Sequence, residues 1–151
     1  STGQITVANS PDFETTTSYN LTVTATDVGG GVGTGTITVN VSNINEPPVS
    51  SNLNLSISSG NAVSGTLNAT DPEGDAVQYE IVSNPSNGFL SLDNASTGAF
   101  TYTSAGGVNS ASFTYKAKDP SGSNTFGNTA TVNILVPSLI KTQLLMGLRI
   151  L

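Results

Sequence analysis

The chain reads as all-β, its short antiparallel strands closing into a Greek-key sandwich, and three observations lead there. Apolar and polar residues alternate with period two along each well-patterned stretch, as half-buried strands require. Breaks rich in Gly, Asn and Ser interrupt the alternation at strand-sized intervals. The composition is 36% hydrophobic and 9% charged, with 16 glycines among 151 residues, a mixture that suits strands and tight turns better than helices. Such polarity is also found in disordered chains, and the regular alternation argues against that reading.

The elements follow in order. Leu21, Val23 and Ala25 alternate with Thr22, Thr24 and Thr26, and Ile37, Val39 and Val41 alternate with Thr38 and Asn40. Further on, Val77, Tyr79 and Ile81 alternate with Gln78 and Glu80, and Phe113, Tyr115 and Ala117 with Thr114, Lys116 and Lys118. Turns are expected at 29–35, 83–88, 93–98, 104–110 and 120–128. Tyr79, Tyr102, Tyr115, Phe89, Phe100 and Phe113 are read mostly as inward-facing core residues. About seven short strands in one stretch of this length point to an immunoglobulin-like sandwich.

Self-comparison reveals an internal repeat. "STGQITV" at 1–7 returns as "STGAFTY" at 96–102, "YNLTVTATD" at 19–27 as "ASFTYKAKD" at 111–119, and "GTITVNV" at 35–41 as "NTATVNI" at 128–134. Residues 1–45 therefore read as the C-terminal half of one repeat, 46–48 as a proline-containing linker, and 49–136 as a near-complete repeat. Residues 137–151, "PSLIKTQLLMGLRIL", fit neither copy and read as a tail outside the fold, with a partner-binding amphipathic helix as the alternative. The first residue is not Met and no signal peptide precedes it, so the chain reads as an excerpt of a longer protein.

Charge narrows the function classes. The net charge is −6, and the four bases are Lys116, Lys118, Lys141 and Arg149, so residues 1–115 hold nine acids and no base. Nothing there can neutralise phosphates, which excludes nucleic acid and disfavours an anionic membrane surface. No apolar run reaches spanning length. The absence of Cys and His excludes nucleophilic triads and imidazole-bound zinc. Paired carboxylates without an aromatic platform do not make a glycosidase, so the chain is not read as an enzyme. "GGGVGTG" at 29–35 matches no phosphate-loop pattern and reads as a hairpin connection. The Asn-x-Ser/Thr triplets are expected by chance in so Asn- and Thr-rich a chain.

The stretch "TDPEGDA" at 70–76 gathers Asp71, Glu73 and Asp75 with no base beside them. Like charges this close repel by a kcal/mol or more in a partly dry site, about what Coulomb's law gives at short range, so a positive guest is expected there. Asp-Pro-Glu-Gly-Asp is also a good turn sequence, and Asp12 alone would serve as a turn cap.

Several pieces in order resemble the cadherin-like repeats of large bacterial surface and secreted proteins. "STGQI" followed by "PDFE" is similar to the TG-x-I turn and D-x-E motif, and "VTATDVGGG" to the V-x-A-x-D-x-G strand end. "NINEPP" resembles the inter-repeat linker, with Asn43 where the family usually has Asp. "NATDPEGDAVQYEI" resembles the A-x-D-x-D-x-G stretch, with Glu73 in the second acidic position. The resemblance covers residues 1–136 and implies Ca2+ at the junction between repeats. Asp12, Glu14, Asp27, Asn43, Asn45, Glu46, Asp71, Glu73 and Asp75 are then the implied metal ligands, all oxygen donors as calcium prefers. Pro47 and Pro48 hold the linker extended. Asn43 removes one charge, so fewer or weaker ions than at a full site are expected. Asp119 matches Asp27 by repeat position, but the second copy lacks the D-x-E motif and a linker, so a complete second site is not expected; Asp93 is assigned to the "LDNASTG" turn and Glu80 to a solvated strand face.

The implied role is a calcium-rigidified spacer or adhesive module of a secreted or cell-surface protein. Its partners would be neighbouring repeats and a cell-surface glycan or protein, without membrane insertion. A polysaccharide-binding accessory module of a secreted enzyme is the alternative, and an exposed row of aromatic side chains would favour it.

Overall fold

A computed structural model describes residues 3–57, 61–107, 109–121 and 125–136. It divides into two compact units, Ser1–Glu46 and Pro47–Leu151. The expected tail at 137–151 lies outside the described residues. Among the described residues every regular element is a strand.

The first unit is a hairpin of β1 (Ser18–Thr26) and β2 (Val32–Asn40). Its antiparallel register runs unbroken from Ser18↔Asn40 to Thr26↔Val32. The reversal is tighter than the glycine-rich stretch suggested. Asp27 Oδ1 accepts the N–H groups of Gly29 and Gly31, each at 2.8 Å, and Gly30 takes the left-handed conformation at φ 87°. The chain is thereby ready to pair again at Val32, and Gly33 and Gly35 lie inside β2 rather than in the turn.

The second unit holds β3 (Val49–Ser50), β4 (Leu53–Ser56), β5 (Ala62–Thr66), β6 (Ala69–Thr70), β7 (Gln78–Ser83), β8 (Phe89–Asn94), β9 (Ala99–Thr103), β10 (Ser110–Lys118) and β11 (Ala130–Leu135). One sheet has the order β4-β11-β10-β7, with β4 parallel to β11; a second has the order β5-β9-β8, and β3 pairs with β6. The chain passes repeatedly between the two larger sheets, which is the immunoglobulin-like sandwich expected from the strand count.

Alternation along β10 is strict. Ala111, Phe113, Tyr115 and Ala117 are at most 8% exposed, while Lys116 faces outward to Glu80 at 3.2 Å. From the other sheet, Phe100 meets Phe113 edge-on at a centroid distance of 5.2 Å, so one aromatic pair joins the two layers. Phe89 departs from the expected core: it is 71% exposed. On β8 the inward set is Leu90 and Leu92, which pack against the core, and period two turns their neighbour Phe89 to solvent. Asp93 also departs from its assigned role. Asn94 Oδ1 caps the turn by accepting from Ser96 and Thr97 N–H, whereas Asp93 accepts a cross-strand bond from Thr101 Oγ1 at 2.8 Å. Hydroxyls of Ser91 and Thr101 hold the Asp93 carboxyl below its usual range.

Tyr115 ties the β3–β4 and β5–β6 connections to the core. Its fully buried Oη lies 2.5 Å from Ser51 O and 2.7 Å from Asn68 O, and accepts the Asn68 N–H at 3.2 Å. Tyr115→Phe takes this partner from Ser51 O and the Asn68 N–H, while Asn68 O keeps the Ser51 N–H at 3.0 Å, and should cost about 1–3 kcal/mol, read by urea denaturation. Burial raises the phenol above its ordinary value of 10.0, because the phenolate is poorly solvated there. The folded state thus keeps its proton longer than the unfolded chain. This contribution to stability is complete below pH 10 and is lost as pH rises through the folded value. The gap between wild type and Tyr115→Phe should therefore narrow in melts taken above pH 10.

Candidate metal centre

In the second unit the acids are positioned by two loops. The loop 71–75 follows β6 and turns through Gly74, at φ 81°; Asp71 O accepts the Gly74 N–H at 3.1 Å. Asp71 is only 6% exposed. Its Oδ1 accepts the N–H groups of Glu73 at 3.1 Å and Asp75 at 3.2 Å, so one carboxylate oxygen organises the whole turn. Its Oδ2 is buried and has no hydrogen-bond partner among the described residues.

The other loop follows β10. Asp119 is 1% exposed, and its Oδ1 accepts from Ser121 N at 2.7 Å and from Ser121 Oγ at 2.8 Å. Ser121 Oγ also lies 3.4 Å from Asp75 Oδ2, which brings the two loops together. Asp71, Glu73, Asp75 and Asp119 therefore belong to one acidic region, with Glu73 half-buried and Asp75 exposed. Lys116 is held by Glu80 and stacks 3.6 Å from the Phe126 ring centroid, and Lys118, next to Asp119 in sequence, lies 5.5 Å from the same centroid. A buried carboxylate oxygen lacking a donor is costly unless a cation compensates it. The donors here are all oxygens, which suits a hard divalent ion such as calcium.

In the first unit, Asp12 and Glu14 are exposed and lie in the turn before β1. Asp12 accepts Thr15 Oγ1 at 3.0 Å and Thr15 N–H at 3.1 Å. Those two bonds, the hydroxyl first, hold its carboxyl below the usual range. Thr17 O accepts the Val41 N–H at 2.9 Å, so this turn and the segment 41–46 leave the hairpin at the same end. A Glu14 carboxylate oxygen lies within 4.8 Å of one from Glu46. Asn43 is exposed, and half-buried Asn45 donates from Nδ2 to Glu46 O at 3.2 Å.

Asp27 does not join them. It sits past the last rung of the hairpin, while the segment 43–46 leaves beyond the first rung at Ser18↔Asn40. Eight steps separate those rungs, a span of roughly 26 Å at the usual rise of a strand. Its carboxylate instead closes the β1–β2 turn. The expectation that Asp27 converges with the linker is thus overturned by strand polarity, since a strand's two ends serve opposite ends of its unit. By the same geometry Asp119, the matching residue of the second copy, lies beside the loop 71–75 of its own unit. The repeat alignment, combined with strand direction, was the signal that would have placed it there.

The family model described as a bacterial Ig domain matches residues 45–135. A search of curated proteins finds no match. Among solved structures, the chain is similar to the extracellular cadherin domains 3–6 of protocadherin gamma B2, with TM-score 0.53 and 24% identity, covering 83% of this chain and 34% of that one. It is also similar to the human desmocollin-1 ectodomain, with TM-score 0.51 and 18% identity, covering 85% and 28% respectively. The chain spans about a third of each of these relatives, 34% and 28%, and the likeness concerns the fold. With its two-sheet sandwich and the match across 45–135, the chain belongs to the bacterial Ig domain family, folded as a cadherin-like repeat.

Proposed function

We propose that the chain is a calcium-binding structural module of a large repetitive extracellular protein, in which the ion stiffens the junction between successive repeats. The observation that carries this reading is Asp71, a nearly buried carboxylate with one oxygen that has no donor among the described residues, set among further acids. Asp71, Glu73, Asp75 and Asp119 would supply ligands from the second unit. Asp12, Glu14, Asn43, Asn45 and Glu46 would supply them from the first, delivered through the linker that Pro47 and Pro48 keep extended. With the ion bound, carboxylates that repel one another become its shared ligands, and bending at the linker separates charge from counter-charge. The module's work is then mechanical rather than catalytic, as a spacer or adhesive stalk at the cell surface whose partners are neighbouring repeats and a glycan or protein target.

Small-angle scattering of the full chain in chelator and in millimolar calcium tests this role. The distribution of maximum dimensions should narrow on adding calcium, and magnesium at the same concentration should do less, because it gives up water reluctantly. Identical curves in all three conditions would remove the proposal.

A further inference from the structure

The β1–β2 hairpin carries an apolar face whose counterpart in the second unit is buried. By the internal repeat, Leu21 and Val23 correspond to Phe113 and Tyr115, and Ile37 and Val39 to Ala130 and Val132. The four in the second unit are 0–2% exposed, whereas Val23, Ile37 and Val39 are 42%, 42% and 39% exposed. Leu21 is half-buried. Three things cover the second-unit face and its edges. β7 adds antiparallel to β10, β4 adds parallel to β11, and Phe100 of the opposite sheet lies on Phe113.

The hairpin's edges are also unguarded. Strands that remain at a sheet edge usually carry charge, proline or a bulge to block further pairing. β1 and β2 contain no charged residue and no proline, and their nine-rung register has no bulge. Among the described residues each pairs only with the other, and a lone two-stranded hairpin is marginal in water.

We propose that this face and both edges form the docking surface for an N-terminal half-repeat of the kind that residues 49–95 carry, since residues 1–7 already match 96–102. A β7-like strand adds antiparallel to β1, a β4-like strand adds parallel to β2, and β5-like and β8-like strands, with the segment before Asp12 taking the β9 position between them, cover Leu21, Val23, Ile37 and Val39. A second copy of the hairpin laid face to face would cover the apolar residues but leave every edge open. The half-repeat closes face and edges together, as it does in the second unit. This inference does not depend on calcium.

The test extends the full chain at its N-terminus with a copy of residues 49–95 and is run in chelator, so that failure here is separate from failure of the calcium proposal. Hydrogen exchange at Thr22, Thr24 and Thr38 should slow by about 100-fold or more relative to the unextended chain, as for amides moved from a fraying to a cooperative element. The chain has no cysteine, so register can be read independently. Thr24→Cys with Glu80→Cys in the added copy should cross-link, following the Lys116↔Glu80 pairing. Thr24→Cys with Asn54→Cys in the copy, on the wrong edge, should stay reduced. Unchanged exchange, or equal cross-linking of the two pairs, would overturn the proposal. So would a sedimenting dimer of the unextended chain with protected hairpins, which assigns the face to a second copy.

Discussion

Asp71→Asn should abolish most of the chain's thermal response to calcium while raising its melting temperature in chelator. The amide keeps an oxygen in the place of Oδ1, so the bonds from Glu73 and Asp75 N–H that shape the loop survive. What disappears is a buried negative charge, 6% exposed and with one oxygen that has no donor among the described residues. Without an ion that charge is a liability beside the other carboxylates, and neutralising it should stabilise the protein by about 1 kcal/mol or more, the scale of like-charge repulsion at short range. With calcium the same change removes a ligand and should weaken binding by at least about tenfold, roughly 1.4 kcal/mol. The signs are opposite in the two conditions, which a general loss of packing would not produce. Differential scanning fluorimetry in chelator and in calcium reads both.

Phe113→Ala should be the most damaging single substitution in the second unit. Phe113 is 1% exposed and meets Phe100 across the two sheets, so its removal opens a cavity between the layers. A loss of about 3–5 kcal/mol is usual for such a truncation. That is a large part of the total stability of a small domain, on the order of 5–15 kcal/mol. Urea denaturation followed by tyrosine fluorescence checks it. Leu21→Ala, at the corresponding position of the hairpin, should cost under about 1.5 kcal/mol because less apolar area leaves water there.

The sandwich was legible in the sequence because period two survives in nearly every strand, and β10 shows it most clearly, with Phe113, Tyr115 and Ala117 facing in and Lys116 facing out. The acidic region was legible at 71–75 because three carboxylates crowd a base-free stretch. Alternation names two faces without saying which is inner, and that is how Phe89 was misread beside Leu90 and Leu92. The turn at 95–98 had two adjacent side chains able to cap it, and only geometry selects Asn94 over Asp93. Asp27 was misplaced for a further reason. Sequence proximity to a linker ignores the nine-residue strand that carries Asp27 away from it, and the fold gives the matching Asp119 to the loop 71–75 of its own unit.

Calcium binding itself is tested most directly by melting the full chain in chelator and across a calcium series. At about 100 times the Kd, a ligand that binds the folded state alone adds roughly 2.7 kcal/mol. For a domain of this size that is a rise of more than about 10 °C, reached at roughly 10–100 mM calcium if the Kd is that of extracellular calcium modules, roughly 10⁻⁴–10⁻³ M. Melting curves that superimpose in chelator and at every calcium concentration would contradict the account, leaving a bacterial Ig fold whose buried acids await some other explanation.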